Sequence, residues 1–124
     1  PTLPFCENVP ETCEDACMAI TGLPCGVSGD ITGAFRFRER GKATIDPDTG
    51  AYSGVNIGRL VVGTDDGGIR YSFAGKTDGV SVWGRFKVLD GTDRYENLEG
   101  AGRYRGMAGY IFTVKYTGRY CGPR

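Results

Sequence analysis

The sequence predicts an all-β protein, an antiparallel meander closed into a small barrel of about eight strands. From Gly29 onward, aromatic and β-branched residues alternate with polar ones at a period of two, the pattern of half-buried strands. Turn sequences rich in Gly and Asp separate these segments, and the 124-residue chain holds 21 glycines, about double the usual share. A β-sandwich is the alternative arrangement of the same strands.

A cysteine-rich arm, residues 1–28, precedes the predicted barrel, residues 29–124, and the length of the chain fits one domain. Within the arm, the sequence PETCEDACMAITG predicts one short helix. Thr12 would be its N-cap, acidic side chains would occupy its first turn, and Gly22 would follow its end. The arm is therefore expected to be helical and the rest of the chain to be β-structure.

Four of the five cysteines fall within the first 25 residues. Because cytosolic thiols are kept reduced, this clustering predicts disulfide bonds and a secreted protein, extracellular or periplasmic. Two of the cysteines would lie one helical turn apart and bond to other partners rather than to each other. An odd number leaves at least one unpaired, and the connectivity stays open. The disulfide candidates are Cys6, Cys13, Cys17, Cys25 and Cys121.

The first predicted barrel strand, ITGAFRFRE, places Ile31, Phe35 and Phe37 on one face and arginines on the other. A turn is expected at Arg40 and Gly41. KATI then leads into DPDTG, a sequence typical of a tight reversal. AYSGVNIGRLVVGT continues as a longer strand, whose glycines indicate a bulge.

Further strands follow the hairpin signal DDGG. They have the sequences IRYSFAG, VSVWGRFKVLDGT and GYIFTVKYTGRY, and KTDG forms the turn between the first two. Closing such a sheet removes exposed aromatic edges, and glycines inside the strands supply the bends that closure needs. These features favour a barrel over a sandwich.

The stretch GTDRYENLEGAGRYRG, followed by IFTVKYTGRY, resembles the turn and late strands of the allene oxide cyclase and dirigent-like barrels. The resemblance is strongest over residues 91–120 and concerns the fold only. Asp93 stands where the family pattern has a glycine, and the cysteine-rich arm departs from that pattern. The matching residues are Gly91, Thr92, Tyr95, Leu98, Gly100, Gly102, Tyr104 and Gly106.

In this motif Tyr95, Leu98 and Tyr104 are expected to pack beneath a tight corner formed by the glycines. The family includes cyclases, proteins that steer radical coupling and proteins without known activity, so the resemblance implies a barrel and no particular reaction. None of its catalytic residues matches a position in this chain.

The chain contains no histidine, which excludes Ser-His-Asp and Cys-His catalysis, histidine-bearing zinc sites and haem attachment through C-x-x-C-H. The cysteines lack the paired C-x-x-C spacing of a four-cysteine zinc site. The acidic turns DPDTG and DDGG fit hairpins better than calcium loops. We therefore expect neither a metal nor a cofactor.

Eight aromatic side chains are candidates to line a pocket for a small apolar ligand, because a barrel of about eight strands has just enough interior for side chains or one such molecule. Filling of the core is the alternative role. A further pair of carboxylates, Glu96 and Glu99, could serve as acid and base in a closed site. The eight aromatic candidates are Phe35, Phe37, Tyr71, Phe73, Phe86, Tyr110, Phe112 and Tyr116.

The net charge is zero, which removes the electrostatic argument for nucleic acid or a membrane surface as a partner. No apolar stretch approaches the roughly 20 residues of a membrane span. The zero hides an asymmetry, because residues 1–30 contain five acidic residues and no Lys or Arg. An acidic arm can bind a basic surface on its own body or on a neighbour.

The expected function is therefore non-catalytic. A secreted, disulfide-stabilised barrel would bind a protein partner, or assemble into a homo-oligomer, through residues 1–28. Two alternatives stay open: a small-molecule cyclase or isomerase that holds an apolar substrate in its barrel without a metal, and a carrier of a small lipophilic ligand. The lack of recognisable catalytic groups favours the non-catalytic functions over an enzyme.

Overall fold

The computed structural model describes residues 12–22, 25–107 and 112–122. It has an all-β fold with eight antiparallel strands in one sheet. The strands are β1 (Thr12–Gly22), β2 (Cys25–Gly29), β3 (Ala34–Ile45), β4 (Tyr52–Thr64), β5 (Gly67–Thr77), β6 (Ser81–Gly91), β7 (Glu99–Met107) and β8 (Thr113–Gly122). A short 3₁₀ turn, Asp93–Tyr95, precedes β7. The predicted all-β class is confirmed, and a single sheet replaces the alternative sandwich. The expected number of about eight strands is reached only with β1 and β2, which come from the predicted arm, because the predicted barrel region contributes the six strands β3–β8.

The sheet curls into a partly open barrel rather than a closed one. Its strand order is β2-β1-β8-β7-β6-β5-β4-β3, so β2 and β3 form the two edges. In the described residues these edges meet at one bridge, where Val27 N donates to Gly33 O at 2.8 Å and Gly33 N donates to Val27 O at 3.0 Å. Because β2 has five residues and β3 has twelve, β2 is too short to pair along the whole of β3.

The predicted helix is wrong, because Thr12–Gly22 is strand β1. It pairs with β8 along its whole length and with β2 at its end. Ala16, Met18 and Ile20 are buried while Cys17 is exposed, so the apolar residues follow a period of two. Tertiary burial of this face outweighs the local capping signals, which are weak in so short a segment. β1 and β2 belong to the sheet that the rest of the chain forms.

Two details of β3 and β4 also differ from expectation. Instead of turning at Arg40, the chain continues to Ile45, and Gly41 pairs in register with Asn56. A bulge was expected in β4. The irregularity lies instead in the ladder between β5 and β6, whose register shifts between Arg70 and Tyr71. The expected reversal at DPDTG is confirmed, with Asp48 N donating to Asp46 Oδ1 at 2.8 Å and a left-handed φ of 75° at Gly50.

The inward side chains form cross-strand rows in which aromatic rings alternate with glycines. One row runs from Tyr116 through Tyr104 to Gly84 and Gly75. A Cβ at Gly84 would lie 2.6 Å from the Tyr104 hydroxyl, so the tyrosine occupies the space that the glycines leave. In the next row, the ring of Phe86 lies in the same way over glycines of β7 and β8. The curled sheet can hold these rings because the opposite positions have no side chain.

The glycine-rich motif packs as expected, but the corner lies earlier in the chain. Tyr95, Leu98 and Tyr104 are buried, whereas the glycines expected to form the corner lie within strand β7. The chain bends before β7, where Asp93 and Asn97 have φ values of 54° and 65°. Asp and Asn tolerate this left-handed backbone better than most residues, which explains how non-glycine residues can occupy these two positions.

We expect Gly102→Ala to destabilise the protein by about 1–3 kcal/mol, because its methyl group would be forced into a filled interior. The added Cβ would lie 2.8 Å from Phe86 Cε2 and 2.5 Å from Gly118 Cα. Gly63→Ala is the matched control, because a Cβ there meets nothing within 4 Å. Urea denaturation monitored by circular dichroism should show a loss for the first variant only; equal free energies of unfolding would contradict the packing argument.

Candidate ligand-binding cleft

One end of the curled sheet contains an open cleft of about 850 Å³ on its inner face. Gly41 and Ala43 of β3 line this cleft, and the inward neighbours Gly54 and Gly75 have no side chain to fill it. The opposite end of the interior is filled by large buried side chains such as Tyr71. The cleft lies within the range of about 300–1,000 Å³ that is typical of small-molecule sites.

Aromatic rings form much of the apolar wall of the cleft. Tyr104 and Tyr116 stack with ring centroids 5.2 Å apart, and Phe73 meets Tyr104 edge-on at 5.8 Å. At the open side of the sheet, Phe37 and Phe112 meet edge-on at 6.4 Å. All five line the cleft. Contacts of this geometry add to the energy of burial and hold the rings in place.

A polar group lies among these apolar walls. Asn56 Nδ2 donates to Glu39 Oε2 at 3.4 Å, and both residues line the cleft. Burial, and secondly the negative charge of Glu39, raise the pKa of Tyr104 to about 12. Burial is also the main cause of the raised pKa of Tyr116. Both phenols therefore stay neutral at physiological pH. On its inner face the cleft offers the Glu39 carboxylate, the Asn56 amide and two phenols. The charged residues Arg40, Lys42, Lys76 and Asp78 also line it.

The rim of the cleft is a hydrogen-bonded turn between β5 and β6. Thr77 Oγ1 donates to Ser81 O at 2.8 Å and accepts from Gly79 N at 3.0 Å. Backbone N–H groups of Ser81 and Val80 donate to Asp78 at 2.7 and 2.9 Å, and these bonds lower the pKa of the Asp78 carboxyl. The Asp78 carboxylate thus stabilises the turn.

The eight predicted aromatic residues divide between the cleft and the packed end. Phe37, Phe73, Phe112 and Tyr116 line the cleft. The others that the structure describes lie elsewhere: Tyr71 and Phe86 are buried in the packed end, and Phe35 stacks with Phe37 at 6.2 Å beside the open edge. Tyr110 lies outside the described residues. Some of the eight residues therefore border the cleft, and others fill the core.

The packed end contains a buried hydroxyl pair that no sequence pattern indicated. Tyr71 and Tyr120 share a hydrogen bond of 2.9 Å between their hydroxyls, and the Tyr71 hydroxyl donates to Met18 Sδ at 3.7 Å. Burial raises the pKa of both tyrosines well above its ordinary value. Each buried phenol thus has a partner, as buried polar groups require.

Most residues that line the cleft are not among the eight predicted aromatic residues, and three of its polar residues show how they differ from expectation. Tyr104 was expected only to pack beneath a corner, and Glu39 and Asn56 were not singled out. A signal for Glu39 exists, because the alternation of Phe35 and Phe37 puts Glu39 on the same inner face when the strand continues. The predicted strand ITGAFRFRE ends with Glu39, so the alternation alone places Glu39 on that face and the turn expected at Arg40 does not exclude it.

The predicted pair of carboxylates is not in the cleft. Glu96 and Glu99 are exposed, and Glu99 begins β7, whereas Met107 at the other end of that strand lines the cleft. Within residues 12–22, 25–107 and 112–122, no group of three Cys, Asp or Glu side chains is placed to hold a metal ion.

The cysteines occupy distinct places in the sheet. Cys13 of β1 lies directly opposite Cys121 of β8 in the antiparallel register. Among the described cysteine side chains, Cys17 is free and exposed, whereas the Cys121 sulfur is not a free thiol. Cys25 begins β2, and Cys6 lies outside the described residues.

No protein-family model, curated protein or solved structure matches this chain. In the described part of the chain, no helix has the length and apolar character that crossing a membrane requires.

The four inward tyrosines Tyr71, Tyr104, Tyr116 and Tyr120 should resist ionisation while the protein is folded. Their folded pKa values exceed the ordinary value of about 10. Burial of these neutral phenols contributes stability that is fully present below about pH 10. That contribution is lost as pH rises toward the folded pKa values. Ultraviolet titration should therefore show part of the phenolate signal appearing late, together with loss of circular dichroism. Early titration of all seven tyrosines in the native protein would contradict this, and the urea-unfolded chain is the reference.

Proposed function

We propose that this protein binds a small, largely apolar molecule with one neutral hydrogen-bonding group, as a carrier of a lipophilic ligand. The observation that carries the proposal is the open cleft of about 850 Å³, with aromatic walls and a polar group formed by Glu39, Asn56 and two phenols. Apolar walls with a few convergent polar groups are typical of small-molecule sites. Glu39 accepts hydrogen bonds and disfavours a ligand carboxylate beside it, so we expect the ligand to place a hydroxyl next to Glu39. Arg40, Lys42 and Lys76 also line the cleft, and an acid would bind on their side instead.

Retinol is a suitable probe, because it joins a long apolar body to one hydroxyl and changes its fluorescence on binding. Val82→Trp should weaken retinol binding by about tenfold or more, because the indole would occupy the cleft that Val82 lines. Val55→Trp is the matched control, because Val55 is 51% exposed on the outer face. Unchanged affinity in the Val82 variant, with its fold preserved by circular dichroism, would exclude this cleft as the site.

The role of Glu39 in choosing the ligand is tested with retinoic acid, which has the same apolar body as retinol and a carboxylate in place of the hydroxyl. The wild-type protein should bind retinol more tightly than retinoic acid. Glu39→Gln should reduce this preference, because it removes the negative charge and keeps an acceptor. A preference that is the same in both proteins would show that Glu39 does not contact the ligand.

Glu39 also supports a second candidate function, a metal-free isomerase or cyclase. A carboxylate beside two phenols in an apolar cleft can move a proton on a bound molecule. Mass spectrometry of ligand recovered after incubation distinguishes the two functions. A carrier returns its ligand unchanged, whereas an isomerase returns a compound of equal mass and different retention time, and loses this activity in Glu39→Gln.

Partner binding or self-assembly through residues 1–28 stays a prediction, as does secretion. The burial of Ala16, Met18 and Ile20 in the core changes how that prediction can be tested. Removing residues 1–25 would take β1 from the sheet, and loss of association could then reflect unfolding. Neutralising Glu7 and Glu11 instead leaves the described strands intact.

We further propose a disulfide bond between Cys13 and Cys121. Their direct opposition on neighbouring antiparallel strands supports this pairing, because such positions bring Cα atoms within the range that a disulfide spans. The first Lys or Arg in the sequence is Arg36, so trypsin leaves every cysteine except Cys121 in one peptide. A glutamate-specific protease cuts after Glu11 and Glu14 and isolates Cys13.

Non-reducing digestion followed by mass spectrometry should then yield the Cys13 peptide joined to the Cys121 peptide, with Cys17 alkylated. Detection of Cys13 bonded to Cys6 or Cys25 would contradict the pairing.

A further inference from the structure

The outer face of the sheet is strongly basic, although the net charge of the chain is zero. Three adjacent cross-strand rows of outward residues run from β3 to β1 and contain one acidic residue, Asp15. These rows extend about 30 Å across the strands and about 13 Å along them. They contain eleven exposed cations: Arg38, Arg40, Lys42, Arg59, Lys76, Arg85, Lys87, Arg103, Arg105, Lys115 and Arg119.

Several of these cations stand directly opposite one another on neighbouring strands. The pairs are Arg38 with Arg59, Arg85 with Arg103, and Arg105 with Lys115. Like charges in this position destabilise a sheet. Among the described residues, Arg119 is the one member of the eleven with an ion pair, to Asp15 at 3.9 Å. None of the remaining ten has an ion pair in the described part of the chain, although the charge of Arg59 acts on the Asp90 carboxyl and helps to lower its pKa. The excess of cations indicates a surface suited to an anionic partner.

A shallow groove of about 1,080 Å³ lies in the middle of this face. Its lining combines the small outward residues Ser72 and Ala74 with the inward residues Phe37, Phe73 and Phe86. Its polar lining also includes Glu39, the one acid that borders it. The flanking cations are Arg38, Arg40, Arg59, Arg85 and Lys87. Arginine forks bind sulfate and phosphate oxygens in a bidentate manner, so the groove can hold successive anionic groups of an extended chain.

We propose that this outer face binds a linear sulfated polysaccharide. The cations form a curved array that follows the curl of the sheet for about 30 Å, which complements a partner with repeated anions rather than a single small anion. Trp83, 41% exposed between Lys76 and Arg105, is the one exposed aromatic side chain in these rows. Single-stranded nucleic acid is usually bound through several aromatic stacking platforms. The cysteine pattern that predicts secretion also fits a polysaccharide better than a nucleic acid.

Heparin is the probe, tested against the full-length protein by affinity chromatography and calorimetry. Binding should weaken steeply with salt, because cations on the protein displace counterions from the polymer. The variant Arg38→Gln/Arg59→Gln/Arg85→Gln should lose about tenfold or more in affinity. It should remain folded, because it removes repulsion between opposed arginines.

The control variant, Arg36→Gln/Arg70→Gln/Arg94→Gln, changes the net charge equally at positions outside the three rows. Its affinity should fall by less than about threefold. Equal losses in both variants would overturn the site, because net charge alone would then explain the binding.

Two further outcomes would overturn the choice of partner. One is tighter binding of a single-stranded oligonucleotide of equal charge than of heparin. The other is salt-sensitive self-association, seen by light scattering without heparin and abolished in the first variant, which would identify the acidic segment of a second copy as the occupant.

Discussion

The architecture depends on fitting aromatic rings into the narrow interior of one curled sheet. The fit is achieved by placing rings opposite glycines: Phe86 lies over Gly102 and Gly118, and Tyr104 lies over Gly75 and Gly84. Rings and glycines are both required. With larger residues in place of the glycines the rings would clash with their side chains, and without the rings the glycines would leave voids. The high glycine content is therefore a packing requirement more than a turn requirement, since many glycines lie inside strands.

The same pairing explains why the interior is filled at one end and hollow at the other. Where the inward residues of β3 and β4 are Gly41, Ala43 and Gly54, their side chains are too small to fill the interior. The short β2 leaves most of the β3 edge unpaired in the described residues, and this opens the cleft on the side of Glu39. A charged carboxylate can remain on an inner face here because water reaches it.

The sequence alone predicts the fold class, because period-two alternation with turns rich in glycine and aspartate indicates strands joined by hairpins rather than helices. It failed for β1, where capping residues suggested a helix and the decisive factor was pairing with β8, about one hundred residues away. Barrel closure depends on the length of β2, which local patterns do not determine. Half of the predicted pocket residues line the cleft. Glu39 ends the predicted strand ITGAFRFRE on the same face as Phe37, but a charged residue is not an obvious candidate for the wall of an apolar pocket.

Alternation also separates the two proposed surfaces. Along β3, Phe37 and Glu39 face the interior, while Arg38 and Arg40 belong to the outer rows. The acidic residues of the described loops, such as Asp46, lie outside those rows, so a net charge of zero conceals a basic surface. Net charge is therefore a poor guide to partners when a sheet segregates charge by face. Phe37, Glu39, Arg40 and Phe73 border both the cleft and the outer groove. The two binding proposals are therefore separated by residues that border only one of them, such as Val82 for the cleft and Arg85 for the groove.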